Sequence, residues 1–184
     1  MALRVIAGSA GGRRLVAPKG GARPTTDRLK EALFASLGRR VDGACVLDLY
    51  AGSGALAIEA LSRGAGRAVL VDHDGAAAAA IRANLDATGF GDVARFQRST
   101  VESFLARGAP EAPFDLALLD PPYDVPSAEI AAVLRALTSG GLLAPGATVV
   151  VERPKGGEPV TLHEEWGIEK ERAYGDTLLV VATA

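Results

Sequence analysis

The sequence predicts an α/β protein, a doubly wound and mostly parallel seven-stranded sheet with helices on both faces. Three observations predict it. Apolar runs such as Phe114–Leu119 are nearly continuous rather than alternating, the mark of strands buried on both faces. From Val41 onward these runs alternate with helical patterns, the order that builds a parallel sheet. The last two runs, near Gly167–Ala173 and Thr177–Ala182, are joined by Tyr174-Gly175-Asp176 as a hairpin turn, which adds an antiparallel C-terminal edge.

The elements follow in order. Arg4–Ala7 and Arg13–Pro18 flank the Gly-rich stretch Gly8–Gly12 and read as an N-terminal β-hairpin. A helix starts at Thr25 or Thr26, whose hydroxyl serves as N-cap before Asp27. Leu29, Leu33 and Leu37 form its apolar face, Arg28, Lys30 and Glu31 point elsewhere, and Gly38 stops it. The body then reads as strands at 45–50, 68–72, 93–97, 114–119 and 149–152. Helices fall between them at 54–63, 74–88, 100–107 and 126–138. Residues 1–40 form a basic extension and 41–184 the main domain.

Composition narrows the function classes. A chain of 184 residues buries enough surface to fold without staples. One cysteine, Cys45, and two histidines, His73 and His163, argue against a disulfide framework and a zinc site. No metal is expected. No apolar run approaches a membrane span, and Leu3–Ala10 lacks the basic flank and length of a signal peptide, so a soluble, cytoplasmic monomer is expected. The net charge of −2 hides a split. Residues 1–40 carry nine Arg or Lys against two acidic groups, whereas the remainder carries 11 basic and 20 acidic groups. A basic arm on an acidic body suggests a phosphate-rich partner, with Arg4, Arg13, Arg14, Lys19, Arg23 and Arg28 as its RNA-binding residues.

In a doubly wound sheet, ligands bind at the carboxyl ends of the strands. After the first strand comes Asp48-Leu49-Tyr50-Ala51-Gly52-Ser53-Gly54, where glycines let backbone approach a ligand closely. Gly52, Gly54 and Ala57 also fit a dinucleotide fingerprint, with Asp72 twenty residues past Gly52. Asp48 would repel a pyrophosphate and instead suits a cationic ligand such as S-adenosylmethionine. After the second strand, Asp72 is placed to accept ribose hydroxyls, His73 lines the site, and Asp74 caps the next helix. After the fourth comes Asp120-Pro121-Pro122-Tyr123. Two prolines remove N–H donors and leave a rigid ledge of acceptors. Such a ledge can hold an exocyclic amine, Asp120 can take its proton, and Tyr123 can stack on an extruded base.

These motifs resemble the class I S-adenosylmethionine-dependent methyltransferases, and Asp120–Tyr123 is similar to the (D/N)PP(F/Y) signature of amino-nitrogen methylation. The signature alone leaves adenine N6, guanine N2 and other amines open. Arg4–Gly8, Gly12–Leu15, Arg23–Glu31, Asp48–Arg63 and Tyr174–Thr177 resemble the RsmD family along essentially the whole chain. The resemblance implies methyl transfer to N2 of a guanine in 16S rRNA, within a 30S subunit or assembly intermediate. It implies Asp120, Pro121, Pro122 and Tyr123 as catalytic residues. Asp48, Tyr50, Ala51, Gly52, Ser53, Gly54, Asp72, His73, Ser99, Thr100 and Asp120 are the expected cofactor contacts. Ser99-Thr100 stands where many relatives place the Asp or Asn that meets adenine, so a hydroxyl or backbone group serves there. A dinucleotide-dependent oxidoreductase and a non-catalytic ribosome-assembly factor are the rival readings.

Overall fold

The computed structural model describes residues 3–19 and 26–184. Its sheet has seven strands: β1 Cys45–Leu49, β2 Arg67–Asp72, β3 Ala94–Arg98, β4 Phe114–Leu119, β5 Leu143–Pro154, β6 Gly167–Tyr174 and β7 Thr177–Thr183. They lie in the order β3-β2-β1-β4-β5-β7-β6. The first five pair in parallel, and β7 runs antiparallel to both β5 and β6. The C-terminal hairpin therefore forms the edge with β6 outermost and the reversed strand one place in. Helix α1 Asp27–Leu37 precedes the sheet, and α2 Ala55–Ser62, α3 Gly75–Thr88, α4 Val101–Arg107 and α5 Ser127–Ser139 connect the first five strands.

Side-chain alternation divides the core in two. Val46, Leu70, Leu116, Leu118 and Val150 face α1, α2 and α3, while Leu47, Leu49, Val71, Leu119 and Val151 face α4 and α5. Strand β5 is longer than the apolar run 149–152 suggests. Leu143 already pairs with Phe114, and Arg153 and Pro154 continue into pairing with β7.

The N-terminal segment departs from a simple hairpin. Its arms run antiparallel, with Val5 N–H donating to Arg13 O at 2.9 Å and Leu15 N–H to Leu3 O at 2.8 Å. Yet only the Arg4–Arg14 bridge forms, and neither arm is a strand. The reason is competition from α2. Glu59 is fully buried on that helix, and its carboxylate accepts N–H bonds from Ile6 at 2.7 Å and Ala7 at 3.1 Å. Ser62 accepts from Ser9 N–H through its carbonyl and from Ala10 N–H through its hydroxyl. Contact is so close that a Cβ on Gly8, where φ is +83°, would lie 1.7 Å from Ser62 O. Every residue of α2 is consequently buried, between the sheet and this strap. Further on, Asn84 of α3 holds both backbone groups of Val16 and donates to Ser53 O at 2.8 Å.

Helix α1 is capped by Thr26, which accepts from Leu29 N–H, and buries Leu29, Leu33 and Leu37 as expected. Lys30 corrects the reading that turned it away from the core. It is fully buried, donates from Nζ to Arg4 O and lies 3.7 Å from the Asp27 carboxylate. Burial lowers its pKa from the ordinary lysine value, against the opposing pull of Glu59 and Asp27. Thr25, the other expected cap, lies outside the described residues.

Glu59 joins strap to body, so Glu59→Ala should cost about 3 kcal/mol of folding stability, because two backbone donors and Arg63 Nε lose a buried partner. Urea denaturation measures the loss, and amide exchange at Ile6 and Ala7 should accelerate. A variant as stable as the parent with unchanged exchange would show that the carboxylate does not hold the strap.

Candidate active site

Parallel register brings the expected residues to one end of the sheet. Asp48 lies beside Leu70 of β2 and Leu118 of β4, so Asp72 and Asp120 stand one pleat beyond it on either side. All three occupy the alternating positions that face α1, α2 and α3. Together with the glycine loop and the Pro121-Pro122-Tyr123 turn they line one cavity of about 940 Å³. Tyr50, Ala51, Gly52, Ser53, His73, Ser99 and Thr100 also line it. Gly54 sits just behind the wall with φ +75°, where a Cβ would lie 2.8 Å from Leu70 Cδ2.

Asp48 is the most demanding group. It is 1% exposed, and its Oδ2 accepts the Ala57 N–H at 3.1 Å. Its Oδ1 is buried without a hydrogen-bond partner among the described residues. Burial pushes the Asp48 carboxyl up to about 8, with the Ala57 bond opposing and the Asp120 and Asp72 carboxylates adding to the rise. A cationic ligand would favour the charged form of this buried carboxyl, whereas a pyrophosphate would bring negative charge toward Asp48, Asp72 and Asp120 and favour it no further. The donor set therefore fits the ammonium and sulfonium of S-adenosylmethionine and opposes a dinucleotide.

Asp72 is anchored by backbone donors. Its two oxygens accept from Gly52 N–H at 2.8 Å and Asp74 N–H at 2.9 Å, and each retains a lone pair for a ribose hydroxyl. Asp74 caps α3 through Ala76 N–H, as expected. His73 is exposed at the rim, where its carbonyl accepts from Arg98. The hydroxyls at the end of β3 are engaged locally. Thr100 caps α4 by accepting from Ser103 N–H, and Ser99 Oγ accepts from Arg107 while donating to Thr100 O. Tyr50 has a positive φ of 62°, rare for a residue with a side chain. Burial, then Glu102 and Glu129, push its phenol up to about 12, with Arg153 opposing.

Several contributors were missed. Tyr123 is 53% exposed, and its hydroxyl lies 2.9 Å from Thr177 Oγ1, so the β6–β7 turn steadies the aromatic ring. Buried Arg153 donates to Val125 O at 2.9 Å and steadies the turn behind Pro122. Glu152 lines the cavity from β5. The signal for Thr177 is present in Tyr174–Thr177, which reads as a hairpin turn and as part of the family resemblance without pointing to a contact with Tyr123. Arg153 gives no signal, because a buried arginine looks like any other in sequence.

The basic residues separate. Arg28 lines the cavity mouth, and Arg14 and Lys19 are exposed. Arg4 pairs with Asp27 at 2.9 Å, and Arg13 donates to Ala87 O at the end of α3 remote from the cavity. Arg23 lies outside the described residues. No group of three or more His, Cys, Asp or Glu among the described residues is arranged to hold a metal ion. No helix among them is long and apolar enough to cross a membrane.

A family model described as "Conserved hypothetical protein 95" matches residues 3–183. The chain belongs to this family, the RsmD family. The chain is 36% identical over 174 residues to "Ribosomal RNA small subunit methyltransferase D" of Escherichia coli strain K12, covering 94% of this chain and 85% of that one. The protein of that name from Haemophilus influenzae is 35% identical over 175 residues, covering 94% and 89%. A solved Escherichia coli structure superposes with a TM-score of 0.86 at 34% identity, covering 100% of this chain and 98% of that one. An RNA methyltransferase from Salinibacter ruber bound to S-adenosyl-L-homocysteine shares the fold, with a TM-score of 0.65 at 18% identity over 88% and 93% of the two chains. The RsmD family is one of S-adenosylmethionine-dependent methyltransferases.

The raised Asp48 carboxyl carries a sign. Its folded value, about 8, exceeds the ordinary 3.8, so the folded protein holds a proton that the unfolded chain releases, and stability falls as pH rises between those values. The melting temperature of the cofactor-free protein should decline from about pH 5 to about pH 8, and Asp48→Asn should flatten that decline. Equal slopes in parent and variant would place the titration elsewhere.

Proposed function

We propose that this protein transfers a methyl group from S-adenosylmethionine to the N2 amine of a guanine in 16S rRNA. The observation that carries the reading is the convergence of Asp120-Pro121-Pro122-Tyr123 with the buried Asp48 carboxylate on one cavity. The naming of relatives as small-subunit rRNA methyltransferases supports the rRNA substrate. A folded 30S particle or assembly intermediate is the proposed context, with a cytoplasmic monomer acting on it. Residues 1–40 are the proposed RNA- and cofactor-covering extension and 41–184 the transfer domain.

Bound here, S-adenosylmethionine would supply an electrophilic methyl carbon, whose bond to sulfur breaks as the N–C bond forms, with neutral S-adenosylhomocysteine as the leaving group. Asp48 and the Ala51–Gly54 backbone hold the cationic methionine end, and Asp72 holds the ribose. Ser99 and Thr100 have committed hydroxyls, so backbone groups there meet the adenine. Asp120 and the carbonyl of Pro121 accept N–H bonds from the target amine and thereby turn its lone pair out of conjugation with the ring. Proline offers no N–H, so nothing on this ledge competes for that lone pair. Asp120 takes the proton released as the N–C bond forms. Tyr123, steadied by Thr177, stacks on the extruded base. This chemistry requires no metal.

Asp120→Ala should lower methyl transfer to 16S rRNA about 1,000-fold while leaving S-adenosylhomocysteine affinity nearly unchanged. Labelled-methyl transfer and calorimetric titration measure the two separately, and joint loss would refute the assignment. For the basic residues, deletion is the wrong test, because Leu3, Val5, Ala10 and Leu15 are core residues. Instead, Arg28→Ala should weaken RNA binding and lower the slope of log affinity against log salt by about 1. An unchanged slope would remove Arg28 from the RNA interface.

A further inference from the structure

We propose that Arg172, on the C-terminal hairpin, binds an RNA phosphate beside the target base. This rests on the reading above that Tyr123 stacks on an extruded base. It adds a contact on the edge strand β6, at the other end of the chain from the basic arm. A series of contacts leads there. The Tyr123 hydroxyl lies 2.9 Å from Thr177 Oγ1, and Thr177 of β7 pairs with Tyr174 of β6. The guanidinium carbon of Arg172 stands 5.5 Å from the centre of the Tyr174 ring. Register fixes which face they share. Arg172 pairs with Leu179, which belongs to the core facing α1, α2 and α3, and Tyr174 packs against that same core. Asp48, Asp72 and Asp120 also lie on this face, and Arg172, Tyr174 and Thr177 line their cavity.

The state of the guanidinium then selects the ligand. Arg172 is exposed, and its guanidinium forms no ion pair or hydrogen bond among the described residues. Stacking on an aromatic face steadies the long side chain but uses neither its charge nor its five in-plane N–H donors. A stacked arginine is thereby prepared for an anion that offers two oxygens, either a carboxylate or a phosphate. The surroundings decide for phosphate. A base stacked on Tyr123 keeps its ribose and phosphates outside, so the RNA backbone runs past the cavity mouth. Glu129 and Asp176 line the same cavity, so a polyanion meets repulsion there unless a cation stands beside its path. Arg172 of β6 and Arg28 of α1 are the arginines among the lining residues. Such a contact holds the RNA in place and reads no base.

The test titrates full-length protein with protein-free 16S rRNA across a range of salt concentrations. Arg172→Ala should weaken RNA binding about tenfold and lower the slope of log affinity against log salt by about 1. Arg172→Lys should keep the parent's slope, since it keeps the charge, while losing part of the affinity with the fork. S-adenosylhomocysteine affinity should equal the parent's in both variants, a result that a disordered hairpin would not give. The parent's slope in Arg172→Ala would overturn the proposal, whatever the affinity. So would a slope in Arg172→Lys as low as in Arg172→Ala, because lost packing rather than lost charge would then be the cause. Weakened binding confined to 30S particles, with protein-free 16S rRNA bound as by the parent, would place Arg172 against a ribosomal protein and overturn it as well. Labelled-methyl transfer by the parent tests the underlying reading separately. A parent that binds 16S rRNA but labels no guanine amine would overturn that reading, and with it the place of Arg172 beside a target base.

Discussion

The chemistry of this protein depends on one constraint: adjacent parallel strands in register, with side chains alternating between faces. That constraint carries Asp48, Asp72, Asp120 and Glu152 from four strands to the same face and the same end of the sheet. Slipping any of these strands by one residue would send its carboxylate to the α4–α5 face. Burying and crowding carboxylates there is unfavourable for folding, and the Asp48 carboxyl is raised by its burial first and by Asp120 and Asp72 after it. The same concentration suits a cationic cofactor. Site and instability share one cause.

A second organising element is the N-terminal strap. It fills the role of a covering layer over α2, using backbone donors where a helix would use side chains. Glu59 and Ser62 accept four of its N–H groups between them, which is why a polar helix face could be buried without penalty from orphaned donors. Lys30 closes the same region from α1, contributing a buried cation to the neighbourhood of the Glu59 carboxylate.

Much of this was legible in the sequence, and the reasons are local. Apolar run length and helical period located the central strands and their helices, because burial on both faces leaves a continuous pattern, and the Tyr174-Gly175-Asp176 turn located the exposed edge strand β6. Asp120-Pro121-Pro122-Tyr123 was legible because proline pairs have few uses at a strand end. What could not be read is what depends on pairing partners distant in sequence. The strap fails to become strands because Glu59 and Ser62 outcompete cross-arm bonding. Lys30 is buried because Arg4 O and Asp27 await it. Thr177 steadies Tyr123 across 54 positions, and Glu152 comes beside Asp120 only through β-sheet register. The charge split located a basic arm, but two of its members, Arg4 and Arg13, also serve the fold.

Asn84 ties these regions together. One amide grips both backbone groups of Val16 and the carbonyl of Ser53, so the strap and the glycine loop share a single anchor. Ala17, next along the strap, lines the cavity, and so does Ser53. Loss of the Asn84 amide would therefore free the strap and the glycine loop at once. Strap and cavity wall are thus fastened together by three hydrogen bonds of one asparagine.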